Sequence, residues 1–81
     1  MKTFDQHDIN FWLGEIGDEM KDATKKFGPF ASAHEGYAIM LEELDELWDA
    51  IKDKDKNIDH IALEAKQVGA MALRFLIDIC K

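Results

Sequence analysis

The chain has 81 residues, a formal net charge of −7, 47% hydrophobic residues and a single cysteine. A chain of this length reads as one domain over residues 1–81 that buries only about 60% of the surface its unfolded form exposes, so association with other chains would add much to its stability. The charge excludes a non-specific nucleic-acid binder, which needs a basic face. The lone cysteine excludes an internal disulfide. No signal-like segment opens the chain and no apolar run nears the roughly 20 residues of a membrane span, so the expected location is cytoplasmic, with no membrane partner.

In chain order the pattern predicts three helices and no strand. Thr3 and Gln6 have capping-box spacing, which starts the first helix near Phe4. Ile9, Trp12, Leu13, Ile16, Met20, Ala23 and Phe27 then recur at helical spacing. Gly28-Pro29 ends that helix, since glycine adopts the left-handed stop conformation and proline cannot continue the ladder. Ser32 and Glu35 form a second capping box and open the central helix, which ends in the Asp53–Asn57 stretch.

On the central helix the segment YAIMLEELDELWDAI sorts into faces. Tyr37, Met40, Leu41, Leu44, Leu47, Trp48 and Ile51 form a wide apolar stripe, expected to be the buried face. Glu42, Asp45 and Asp49 point away from it. Between the two lies a row of Ile39, Glu43, Glu46 and Ala50, which puts two carboxylates at the border of the core.

Asn57 or Asp59 caps the third helix, which is expected to run almost to Lys81. Its stripe of Ile61, Val68, Met71, Phe75 and Ile79 contains Glu64, and a polar row of His60, Gln67, Arg74 and Asp78 runs beside it. The far side is again apolar: Ala62, Leu63, Ala70, Leu73, Ile77 and Cys80. A helix apolar around most of its circumference needs cover on most sides. Three helices of this length leave part of it bare, so a second copy is expected to supply the rest, with Gly69, Ala70 and Ala72 permitting close helix approach.

A single glutamate on a helix is ordinarily a solvated residue, and for Glu42, Asp45 and Asp49 that reading is the default. Glu64 is different, because a carboxylate inside an apolar stripe costs several kcal/mol unless it is paired or binds a metal. If the central and third helices pack antiparallel, Glu43 and Glu46 face Glu64 and Gln67, each pair at i, i+3 on one side of its helix. Three carboxylates and an amide oxygen make a hard oxygen set of the kind Mg²⁺ takes. His7, His34 and His60 are too dispersed for a zinc site, Cys80 has no partner to make it a nucleophile, and no glycine loop is built to cradle phosphate.

These acids resemble the signature of the MazG-like all-α nucleotide pyrophosphohydrolases, Glu-Glu-x-x-Glu on one helix and Glu-x-x-Asp on the next. Glu42-Glu43-Leu44-Asp45-Glu46 matches the first half, and Glu64-Ala65-Lys66-Gln67 matches the second except at its last position, where Gln67 replaces the aspartate. The resemblance implies an all-α chain that reaches four-helix-bundle packing by forming a homo-oligomer, dimer or tetramer. It also implies Mg²⁺- or Mn²⁺-dependent hydrolysis of a (deoxy)nucleoside triphosphate to the monophosphate and pyrophosphate. Glu43, Glu46 and Glu64 would hold the metal, Gln67 would join them or contact the substrate, and Glu42 would support the ligands or orient the attacking water. Cationic help for the phosphates is expected from Arg74, Lys25, Lys26, Lys52 or Lys66. Trp12, Phe30 and Trp48 are candidates to stack a base, although Trp12 and Trp48 lie on apolar stripes and read first as core residues. The competing expectation is a non-catalytic helical oligomer of the same fold that binds a nucleotide or a protein partner.

Overall fold

The structure is a computed structural model that describes residues 3–81. It contains α1 (Gln6–Phe27), α2 (Ala33–Lys52) and α3 (Ile58–Asp78), and no strand among the described residues. Among the described residues no helix is long and apolar enough to cross a membrane.

Asp5, not Thr3, caps α1: its Oδ1 accepts from the His7 backbone N–H at 2.8 Å. Aspartate is the stronger capping residue, and Gln6 turns forward to donate to Asn10 Oδ1 instead of closing a box. Gly28 ends α1 at φ 77°, with its N–H returned to Thr24 O at 2.8 Å. Ser32 and Glu35 cap α2 as expected, although the glutamate closes on the residue before the cap and not on the cap itself. Ser32 Oγ accepts from Glu35 N–H at 3.1 Å, while the Glu35 carboxylate reaches back to Ala31 N–H at 2.9 Å. Asn57 caps α3 through His60 N–H, and the helix closes at Asp78 with Ile79 as its C-cap, short of Lys81.

Both α1 and α2 pack on α3, and they do not pack on each other. Contacts fix the directions. Gly36 of α2 meets Phe75, while Glu43 and Glu46 meet Glu64, so α2 and α3 are antiparallel. Ile16 meets Gly69 and Glu15 meets Lys66, whereas Gly28, just past the end of α1, meets Arg74, so α1 runs in the direction of α3. The molecule is therefore a V laid over α3, with the Gly28-Pro29 turn at its apex.

Small residues make the two seams. A Cβ on Gly69 would come within 2.9 Å of Ile16 Cδ1, and one on Gly36 within 2.7 Å of the Phe75 ring. The close approach expected of Gly69 and Ala70 is thus used within the chain: Ala70 is wholly buried and packs with Met71 and Phe30, against Met20 and Ala23 of α1. Arg74 and Asp78 anchor the apex. Arg74 Nη2 donates to Gly28 O at 2.8 Å, its guanidinium lies 4.1 Å over the Phe30 ring, and Asp78 Oδ2 accepts from Phe30 N–H at 2.9 Å.

One expectation is overturned within the single chain. The wide apolar stripe of α2 is not its buried face: Tyr37 is 65% exposed, Trp48 56%, and Leu41, Leu44 and Ile51 are also exposed. The row that turns inward is Gly36, Ile39, Glu43 and Ala50, on the flank of the stripe. Gly36 and Ala50, both buried, let α3 come close there, where the bulky stripe would hold it off.

Candidate metal centre

The mouth of the V is a cavity of about 800 Å³. Its floor is α3, through Glu64, Gln67, Met71 and Arg74; one wall is α2, through Glu35, Ile39, Glu42, Glu43 and Glu46. The other wall is α1, through Glu19, Asp22, Ala23, Lys26 and Phe27.

Glu43, Glu46 and Glu64 converge, each offering one carboxylate oxygen within 4.8 Å of the others. Antiparallel packing of α2 on α3 produces this: the i, i+3 pair of α2 is brought down on Glu64 by the close seam at Gly36 and Ala50. The Glu43 pKa is pushed up from 4.5 to about 7, first by burial and then by the neighbouring carboxylates Glu46, Glu64 and Glu42. Glu64 has a side chain only 15% exposed. Its Oε1 lies 3.4 Å from His60 Nε2, and its Oε2 is buried with no hydrogen-bond partner.

A buried carboxylate oxygen without a donor, beside two further carboxylates, is a strained arrangement that a cation relieves. The donors are all oxygen, which suits Mg²⁺ or Mn²⁺ and not a thiolate-seeking metal. The residues present therefore fit the divalent ion that the sequence resemblance implies.

The remaining candidates divide. Gln67 lines the cavity and its Nε2 donates to the Glu19 carboxylate, which leaves its carbonyl oxygen free of that bond. Glu42 is exposed on the cavity wall. Of the expected cations only Lys26 and Arg74 line the cavity. Arg74 is 3% exposed and tied to Gly28 and Phe30, yet its Nε has no partner.

Lys25, Lys52, Lys66 and Trp12 lie outside this cavity. Lys25 is exposed on the last turn of α1. Lys52 pairs with Asp49 at 3.6 Å and lies over the Trp48 ring. Lys66 reaches Glu15 at 3.6 Å and shares a shallow hollow with Trp12, Ile16, Ala62 and Ala65. The two α1 carboxylates that line the cavity, Glu19 and Asp22, are not among the residues expected from the sequence. The signal was present: Glu15, Glu19, Asp22 and Lys26 recur at i, i+4, i+7 and i+11, one row of a helix.

No protein-family model, curated protein or solved structure matches the chain.

Proposed function

We propose that this chain hydrolyses a (deoxy)nucleoside triphosphate to the monophosphate and pyrophosphate with Mg²⁺, or Mn²⁺, held by Glu43, Glu46 and Glu64. The observation that carries this reading is the convergence of those carboxylates around a buried, unpartnered Glu64 oxygen. The MazG-like pattern of the same residues supplies the reaction class. A divalent ion bound there neutralises phosphate oxygens and makes a water molecule more acidic.

The chain's own groups do the rest. Gln67 either adds its carbonyl to the ion's ligands or contacts the substrate. Glu42, on the cavity wall, orients the attacking water and accepts its proton as oxygen bonds to the α-phosphorus and the bond to pyrophosphate breaks. Lys26, which lines the same cavity, meets the charge of the phosphates, and Arg74 adds its positive charge from the floor without a direct contact, since its Nη atoms are held by Gly28 O and Met71 Sδ. Cover for the exposed α2 stripe comes from a second copy, which completes a four-helix bundle in a dimer or tetramer.

A second reading has its own observation. An apolar face holding Tyr37, Leu41, Leu44 and Trp48 would serve equally a non-catalytic oligomer that binds a nucleotide or a protein partner. Incubating the purified chain with a panel of NTPs and dNTPs and Mg²⁺ separates the two. Pyrophosphate released in step with monophosphate, and lost in Glu43→Gln, is the expected result; no pyrophosphate from any nucleotide selects the non-catalytic oligomer.

A further inference from the structure

Residue 67 departs from the pattern that the other acids follow, and the structure gives the departure a use. Gln67 on α3 donates its amide N–H to Glu19 on α1, across the V. An aspartate there could not make that contact near neutral pH, because an ionised carboxylate only accepts hydrogen bonds and would repel Glu19. The amide thus removes a charge from the floor of the cavity and, in the same step, secures one on the wall.

Lys66, on the facing stretch of α3, is taken by Glu15 one turn earlier, and Glu19 forms no ion pair among the described residues. It is half-buried and lines the same cavity as Glu43, Glu46 and Glu64, although it lies outside their tight cluster. The same cavity holds Glu64 Oε2, buried and without a hydrogen-bond partner, an acceptor that a cation would satisfy.

We propose that Glu19 is a further residue of the cation site, acting from the α1 wall on the ion's outer ligands, and that Gln67 is its positioning residue. The proposal rests on the metal-binding reading above. It identifies Glu19 as the replacement for the missing aspartate, delivered by a different helix.

The test is Mn²⁺ affinity of the full chain, measured from the electron paramagnetic resonance signal of free Mn²⁺ without nucleotide. Glu19→Gln is the same size and keeps the fold, and it should weaken Mn²⁺ binding about tenfold, the usual scale for residues that support metal ligands. Gln67→Met, which keeps the volume but removes the donor to Glu19, should weaken binding over the same range, and adding it to Glu19→Gln should cost little more, because the amide acts through Glu19. Asp18→Asn, which removes an exposed charge from the same helix, should change little. Wild-type affinity in Glu19→Gln, a loss no larger than that of Asp18→Asn, or fully additive losses in the double variant Glu19→Gln with Gln67→Met each overturns the proposal. Glu43→Gln keeps the two levels apart: if it too binds Mn²⁺ normally, the metal reading itself fails and Glu19 falls with it.

Discussion

Glu43 shows what one half-buried carboxylate among others costs the fold. With its pKa near 7 against an ordinary 4.5, the folded chain holds this proton more tightly than the unfolded chain does. Between about pH 4.5 and 7, proton loss therefore favours unfolding, and stability falls as pH rises. Above 7 the whole cost is present. Glu43→Gln should flatten that slope and melt higher than the parent at pH 8, while matching it more closely at pH 5. Circular dichroism melts at the two pH values, without divalent ions, check this; an unchanged slope would mean that Glu43 is not the group responsible. Arg74 makes the opposite point. Its position on a polar row reads as a phosphate contact, but two of its nitrogens are already committed, to Gly28 O and Met71 Sδ, and that could be seen only once the turn was folded back on α3.

Among the helices, α2 is where sequence and fold diverge most usefully. Its limits, its capping box and its carboxylate row at the edge of the core were all readable from local chemistry, because caps and periodicity are properties of the segment itself. Which flank would bury was not, since that depends on where a partner helix can come closest. Gly36 and Ala50 decided it, and neither stands out in a count of apolar residues. The acids Glu43, Glu46 and Glu64 were legible for the opposite reason: two short spacings and one antiparallel contact suffice to bring them together. Glu19 was not, because its place in the cavity depends on α1, which contributes nothing to the two motifs. The displaced stripe leads to a prediction at this scale. Multi-angle light scattering at micromolar concentration should find a dimer or larger species, and Leu44→Asp, in the middle of the exposed face, should reduce it to monomer. A folded wild-type monomer would sink the expectation of a second copy.

At the scale of the whole molecule, α3 is the shared partner and the other two helices meet only through it. The two attachments are unequal. α1 contributes no fully buried residue, whereas α2 contributes Gly36 and Ala50 and α3 contributes Ala70, Met71 and Arg74, so the α1 seam is the less enclosed of the two. Local opening begins where buried apolar contact is thinnest. Amide hydrogen exchange should accordingly release the inward half of α1, around Ile16–Ala23, before the matching turns of α2 and α3. Equal protection in all three helices would contradict this. The turn at Gly28, pinned by Arg74 and Asp78, has the mechanical character of a hinge knuckle. A helix that pivots there while α2 and α3 stay clasped would widen the V without disturbing Glu43, Glu46 or Glu64. What would leave is the α1 wall, with Glu19, Asp22 and Lys26 carried out on the moving arm, and the amide of Gln67 would be the polar contact that draws Glu19 back.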